Sequence, residues 1–172
     1  MSFNTLVTQI ESSSEFKAFK QKNPDAELCA GFFVIDLARK DNKSALDYKH
    51  GDSIFTFSAE DEKIKIEEDE LITIAGRPPL QKIERSVTVD INEIKNIALS
   101  SLIHNKIISK LQKIIAVLQR HSLDGKDEKQ VWHLTCMLEG MGIVTIIVDS
   151  ESGEVIKFEK KNVMDFMNVK KA

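Results

Sequence analysis

The clearest alternation of apolar and polar positions lies over residues 131–159. Apolar residues recur there at a period of two, which is typical of strands with one buried face. Residues 140–142, Gly-Met-Gly, separate the first run from the second, and the turn at 149–153 separates the second from a third. The pattern predicts three antiparallel strands that share one apolar face. Its nine members are Trp132, Leu134, Cys136, Leu138, Val144, Ile146, Val148, Ile156 and Phe158.

The loop over 140–142 sets the expected register of the first hairpin. It places Cys136 opposite Ile146 on the apolar face and His133 opposite Asp149 on the other face. A shift by one residue would turn Thr145 and Asp149 into the core, so that register is disfavoured. A His133–Asp149 pair would contribute about 0.2–1 kcal/mol; the alternative is that both side chains point into water. We expect a helix over 106–120 to cover the apolar face.

The second face of these strands is also partly apolar, more than a fully solvated face usually is. Part of it should therefore be covered by the N-terminal unit, by a second copy of the chain, or by a partner protein. The first two are favoured because the face lacks Arg and further aromatic residues, which are typical of transient interfaces. The residues of this candidate partner or dimer face are His133, Thr135, Met137, Thr145, Ile147 and Val155.

Two short phrases resemble the PepSY family. The Trp-bearing strand is followed by DSESGEVI at 149–156, similar to the phrase DxxTGEVL that closes PepSY domains, with Ser152 where Thr is usual. NPDAEL at 23–28 resembles the phrase that leads from the family's helix into its first strand. The resemblance implies cystatin-like sheets that curve around a helix and hold a peptide or protein partner, and some family members restrain peptidases. Many members are secreted or membrane-attached, which this chain's composition does not predict.

The N-terminal half has a similar order of elements. Helical spacing of apolar residues begins at Phe3, the phrase Ser12-x-x-Glu15 resembles a capping box that restarts the helix, and Pro24 ends it. Residues 60–70 carry seven carboxylates, which favours a solvated edge strand over a calcium site. The strands predicted before that segment are 26–37, 45–50 and 53–58.

A second apolar pattern, close to a period of 3.6, predicts a helix from Ile91 to about His121. Asp90 and Glu93 form its capping signal. Unbroken, the helix would exceed about 40 Å, longer than a small sheet can cover, so a break is expected at Ser100-Ser101 or at His104-Asn105. A short strand over 86–89 precedes this helix, and a short helix over 162–168 closes the chain.

These elements predict an α+β fold of two αβββ units, each an antiparallel sheet packed on a helix, related by internal duplication. The Gly-Arg-Pro-Pro phrase at 76–79 is the strongest break signal and marks the boundary. The predicted N-terminal unit spans 1–75, the connecting segment 76–89, and the C-terminal unit with its short final helix 90–172. The sequence leaves open whether the two units form one domain or two.

The composition and charge of the chain mainly exclude classes of protein. The chain is 42% hydrophobic and 30% charged, as globular domains are, and its net charge of -3 disfavours nucleic-acid binding. Residues 1–16 lack the pattern of a signal peptide, and no window approaches the roughly 18 apolar residues of a membrane span. Cys29 and Cys136 lie on separate apolar strands, which favours buried thiols in a reducing compartment over a disulfide. We therefore expect a cytoplasmic protein with no membrane partner.

The sequence contains no Gly-rich phosphate loop, nucleophile elbow or metal-ligand spacing, and its four histidines are scattered. No catalytic residue, cofactor or metal is predicted. The leading hypothesis is a non-enzymatic binding or regulatory module that holds a peptide or protein on a sheet face or edge. Two alternatives stay open: a small α+β enzyme with a polar pocket behind Trp132, and a homo-oligomeric scaffold without a ligand.

Overall fold

The computed structural model describes residues 1–70, 80–122 and 128–162. These residues contain three helices and eight strands. The predicted break at 76–79 and all but the first residue of the predicted helix over 162–168 lie outside these residues. The helices are α1 (Phe3–Glu11), α2 (Ser14–Lys22) and α3 (Ile91–His104). The strands are β1 (Glu27–Asp36), β2 (Lys43–His50), β3 (Ser53–Glu60), β4 (Lys63–Glu70), β5 (Leu111–Ser122), β6 (Glu128–Leu138), β7 (Gly142–Asp149) and β8 (Val155–Asn162).

The eight strands form one antiparallel sheet in the order β4-β3-β2-β1-β5-β6-β7-β8. The prediction of two αβββ units, each with its own sheet, is therefore wrong. Residues 31–36 of β1 pair with residues 113–118 of β5, so one hydrogen-bonded ladder joins the two halves. Each half contributes four strands rather than three, because both the acidic edge strand β4 and the central strand β5 belong to the sheet. The strand order is symmetric about the β1–β5 pair.

Strand β5 replaces the second part of the predicted helix over 91–121. Helix α3 ends at the His104-Asn105 step, one of the two predicted breaks, and the chain then continues as a strand between β1 and β6. Its side chains are apolar on both faces, so it lacks a clean alternation and the same residues also satisfy a helical spacing. Pairing on both sides makes this segment a strand. Its covered residues include Ile114, Ala116 and Leu118, and Ile115 and Val117 lie on the opposite face.

The three helices pack on one side of the sheet, which we call the covered face. Phe3 of α1 is fully buried there and meets the Trp132 ring edge-on, with ring centroids 6.4 Å apart. Gly31 makes room for Phe3, since a β-carbon at this position would lie 3.0 Å from the Phe3 ring. Phe33 of β1 contacts Trp132 as well, at 5.8 Å. This aromatic group ties strands of both halves to α1.

Helix α2 closes the N-terminal half with aromatic side chains. Its N-cap is Ser13, one residue after the predicted Ser12, and the Ser13 hydroxyl accepts a hydrogen bond from the N–H of Phe16. Phe16 and Phe19 pack on Tyr48 and Phe57 with centroid distances between 4.9 and 6.2 Å. The Tyr48 hydroxyl donates to Glu11 at 3.0 Å, so the polar atom of this buried ring is satisfied.

The first C-terminal hairpin differs from the predicted register by two residues. Cys136 pairs with Val144 rather than with Ile146. The turn lies at residues 139–141, where Gly140 and Met141 both adopt positive φ angles of 83° and 68°. Because side chains alternate with a period of two, this shift keeps each of them on its predicted face.

The predicted apolar face of these strands is buried except near its end. Ile156 is 39% exposed because the pairing of β7 with β8 becomes irregular at that point, whereas Phe158 is half-buried against the core. Helices α1 and α3 cover this face, so the expectation of a helix over 106–120 is wrong. The predicted residues that are 0% exposed include Trp132, Cys136, Val144 and Ile146.

Residues 80–90 connect the halves as an irregular segment, so the predicted strand over 86–89 is wrong. The indole N–H of Trp132 donates to the carbonyl of Val89 at 2.8 Å and holds this segment against the sheet. Asp90 then forms the predicted capping box of α3 with Glu93. The same Asp90 carboxylate accepts the N–H of Phe3 at 2.7 Å. One carboxylate thus stabilises the N-termini of two helices, where negative charge is favourable.

Candidate functional site

The strongest candidate surface lies on the side of the sheet opposite the helices, here called the helix-free face. Strands β6 and β7 present a compact set of side chains there, which we call the C-terminal patch. In three cross-strand pairs, its members are His133 with Ile147, Thr135 with Thr145, and Met137 with Ile143.

The structure brings together five of the six residues predicted to form a partner or dimer face. These five are His133, Thr135, Met137, Thr145 and Ile147. Val155 lies apart, because it pairs with the covered-face residue Val148 at the irregular start of β8. Ile143 takes the sixth place, and the predicted register had set it beside the loop.

The apolar surface continues from the patch across β5 to β1. Val117 pairs with His133 on one side and with Phe32 on the other, and Ile115 stands between Thr135 and Val34. Phe32 is 36% exposed, and Val34, Ile115 and Val117 are half-buried. The sequence interpretation missed this extension because it assigned 91–121 to a helix.

His133 is a neutral group within the patch, and its predicted pair with Asp149 is wrong. It stands opposite Ile147, and Asp149 stands opposite Val131. The pKa of His133 is lowered, first by burial and then by the nearby positive charge of His121. His133 is therefore an uncharged imidazole at neutral pH.

Asp149 has a structural role in the turn that follows β7. Burial alone would raise the pKa of Asp149, but hydrogen bonds from the N–H groups of Glu151 and Ser152 and the charge of Lys129 outweigh it, so the pKa is lowered. Its ion-pair distance to Lys129 is 3.9 Å. An ionised carboxylate that accepts backbone hydrogen bonds is suited to holding a turn, not to donating a proton.

A groove of about 630 Å³ indents the N-terminal half of the helix-free face, and we call it the N-terminal groove. Its floor is made of the small side chains of Ala45, Thr56 and Ser58, and Phe32 borders it. Beside the floor, Asp47 accepts a hydrogen bond from the Thr56 hydroxyl at 2.7 Å, and burial raises the pKa of Asp47. The charged residues around the groove are Asp41, Lys43, Glu60, Asp61, Lys65 and Glu67.

A second concavity of about 580 Å³ lies at the ends of β5, β6 and β7, beside residues 84–88. Its polar groups have structural partners: the side chain of Gln130 accepts the N–H of Glu84 at 2.8 Å, and the Ser150 hydroxyl donates to the Gln130 carbonyl at 2.8 Å. No group of His, Cys, Asp or Glu with metal-binding geometry occurs among residues 1–70, 80–122 and 128–162. The hydrogen bond between Glu84 and Gln130 attaches the connecting segment to the sheet at this concavity.

Both cysteines are buried free thiols, as predicted. Burial raises the pKa of Cys29 and of Cys136 to about 12. Both side chains are therefore protonated at neutral pH, and the thiolate, which is the reactive form, is suppressed.

Comparisons with known proteins show the fold and leave the family unassigned. No protein-family model matches the chain, and no curated protein matches it. A crystal structure described as that of a "putative lipoprotein" from Clostridium difficile 630 is similar, with a TM-score of 0.54 and 15% sequence identity over 86% of this chain and 90% of that one. The similarity extends over both halves of the sheet. Within the described part of the chain, no helix has the length and apolar character needed to cross a bilayer.

Proposed function

We propose that this chain is a non-enzymatic binding module whose helix-free face holds a protein partner. The observation that carries the proposal is the apolar surface over four adjacent strands, β1, β5, β6 and β7, on the face that no helix covers among the described residues. From strand spacing the footprint of these four strands is about 400 Å²; within it Phe32 is 36% exposed, most side chains are half-buried and Ile147 is 4% exposed. Covering it would be favourable by about 25 cal/mol per Å² of apolar surface removed from water.

The packing around Trp132 supports a binding module over a pocket enzyme. The enzyme alternative requires a polar pocket behind this side chain, but Phe3 and Phe33 occupy that space and Trp132 is 0% exposed. Its indole N–H is already bonded to the Val89 carbonyl. The two concavities described above lie elsewhere, on the helix-free face and at the strand ends.

Kinship with PepSY domains and a cytoplasmic location are further parts of this proposal. Support for the kinship comes from the phrase at 149–156, where Asp149 bonds the turn backbone and Gly153 has a φ of 76°, as the turn requires. Holding a peptide or protein against a sheet is the role that this resemblance implies. The cytoplasmic location is inferred from the sequence composition alone.

Differential capture from the native cell tests the proposal. The bait proteins are the wild-type chain, Met137→Lys in the C-terminal patch, and the matched control Ile108→Lys. Ile108 is 99% exposed and lies between α3 and β5, outside the patch. A partner in stoichiometric amount should bind the wild type and the control and be lost from Met137→Lys, because a lysine would place an uncompensated charge in the apolar contact.

A second, differently tagged copy of the chain in the same cells shows whether the partner is the chain itself. Equal capture by all three baits, with similar melting temperatures, would place the binding site elsewhere and overturn the proposal. Circular dichroism of each bait establishes that a loss of capture does not reflect unfolding.

A further inference from the structure

The helix-free face consists of two halves that differ in shape and charge. Strands β6 and β7 carry the C-terminal patch with its larger apolar side chains, and β2 and β3 carry the floor of the N-terminal groove with Ala45, Thr56 and Ser58. Four carboxylates and two lysines surround the groove. On the edge strand beside the patch, β8, Lys157 and Lys161 both form ion pairs with Glu159 on this face, at 3.5 Å each. A half with larger apolar side chains therefore lies beside a recessed half whose rim has excess negative charge.

The symmetric strand order allows these halves to meet in pairs. A two-fold axis parallel to the strands and centred on the β1–β5 pair would place β6 over β2, β7 over β3, and β8 over β4 of a second copy. The C-terminal patch of each copy would then lie over the N-terminal groove of the other. This meets the requirement of an isologous interface, in which each contact occurs twice.

The other face-to-face arrangement fits the observed shape less well. With the two-fold axis running across the strands, each half would cover its own copy. The two grooves would then face each other around a void, and Asp41, Glu60, Asp61 and Glu67 would approach the same four carboxylates. Unfilled space loses packing contacts, and juxtaposed like charges are unfavourable.

The size of the face is suitable for a stable dimer. Eight strands spaced by about 4.8 Å and eight residues long at about 3.3 Å per residue cover about 900 Å² per copy. Standard protein interfaces bury about 800 Å² per partner. Two sheets packed face to face also follow the known geometry of β-sandwiches, with about 10 Å between them.

We propose that the partner held by the helix-free face is a second copy of this chain, in a two-fold dimer whose axis runs along the strands between β1 and β5. This inference rests on the proposed function, because it names the occupant of the same surface. Residues of the C-terminal patch fill the partner's N-terminal groove twice.

Solution mass tests the occupant. Sedimentation equilibrium of the purified 172-residue chain should give about twice the 19.4 kDa chain mass. Met137→Asp should raise the dissociation constant about 100-fold or more, because the symmetric interface places the new carboxylate twice beside the partner's acidic groove. Ile108→Asp should leave it unchanged. If Met137→Asp does not fold, Thr135→Glu provides the same test within the patch.

A distance measurement tests the arrangement. The native cysteines are 1% and 0% exposed, so a spin label can be attached selectively at Lys65→Cys on the edge strand β4. Because Lys65 lines the groove, sedimentation equilibrium first checks that the labelled variant still dimerises. With the axis along the strands, the two labels lie at opposite edges of the dimer, about 35 Å apart or more; with the axis across the strands, they lie about 10–20 Å apart. The short distance would overturn the proposed arrangement.

The outcomes separate this inference from the proposed function. A wild-type chain that stays monomeric up to millimolar concentration overturns the dimer. If a different protein is captured from cells and lost with Met137→Lys, the binding surface stands and only the identity of its occupant is wrong. If Met137→Asp leaves the mass unchanged and Met137→Lys leaves capture unchanged, both proposals fail.

Discussion

The two faces of the sheet are formed by the same strands, yet their side chains have different roles. On the covered face, Trp132, Tyr48 and Phe57 are at most 1% exposed and pack against aromatic or aliphatic neighbours. On the helix-free face the central side chains are mostly β-branched and half-buried, and Ile147 is only 4% exposed. Ile114 and Ile115 show the contrast within one strand, since the first is 0% exposed and the second half-buried. The covered face therefore stabilises the fold, whereas the helix-free face leaves part of its apolar area without a covering helix among the described residues.

The largest expected effect is on the covered face. Trp132→Ala should lower the free energy of unfolding by about 3–5 kcal/mol, because it leaves a cavity between Phe3 and Phe33 and an unpaired Val89 carbonyl. Urea unfolding followed by far-UV circular dichroism measures it, since the variant lacks the only tryptophan. A variant with the wild-type midpoint would contradict the central place given to Trp132.

A matched pair on β5 compares the two faces directly. Ile114→Ala should cost about 2–5 kcal/mol, because the side chain is fully buried on the covered face. Ile115→Ala, next to it on the helix-free face, should cost about 1 kcal/mol or less in the monomer. Both are measured by urea unfolding at a protein concentration below the dissociation constant of the proposed dimer. Equal losses would show that the helix-free face is as closely packed as the core.

Alkaline pH should destabilise the fold through its buried thiols. The pKa of Cys29 and of Cys136 is raised from 9.0 to about 12, so above pH 9 the unfolded chain loses these protons first. The free energy of unfolding should therefore be unaffected below pH 9 and decrease from pH 9 towards pH 12, by at most about 3 kcal/mol at pH 10 for both thiols together. Burial raises the pKa of Tyr48 too, which adds a loss in the same direction at higher pH.

Unfolding titrations at pH 8, 9 and 10 measure this decrease. Cys136→Ala provides the control, because removal of one thiol should halve the slope above pH 9, whatever its effect on stability at neutral pH. A slope that is the same in wild type and variant would show that other groups cause the alkaline loss.

The smallest expected effect concerns the imidazole in the C-terminal patch. NMR titration should give His133 a pKa below 6.5, because burial and the charge of His121 disfavour its protonated form. His121→Ala should raise this pKa, and Asp149→Asn should leave it unchanged, since Asp149 stands opposite Val131. Because the folded-state pKa is lowered, stability from this group should decrease as pH falls below 6.5. A response to Asp149→Asn would instead restore the pair predicted from the sequence.

Sequence reasoning succeeded where the local pattern was unambiguous. It placed Trp132, Cys136, Val144 and Ile146 on one buried face, and five of six patch residues together on the other. It missed the exact register because Gly140 and Met141 share the positive φ angles of the turn, and a two-residue shift preserves the pattern of faces. It misassigned β5 because residues such as Ile114 and Ile115 are both apolar.

Local chemistry in the sequence determined several features by itself: the helix start at Asp90, the alternation of β6 and β7, and the exposed edge strand formed by the acidic residues at 63–70. These depend on neighbouring residues, through capping, side-chain alternation and charge. Only the tertiary structure decided that β1 and β5 join the halves into one sheet. Backbone N–H and C=O groups are the same in nearly every residue, so the sequence does not indicate which distant strands pair with each other. A central strand with two apolar faces can therefore be recognised only when its neighbouring strands are known.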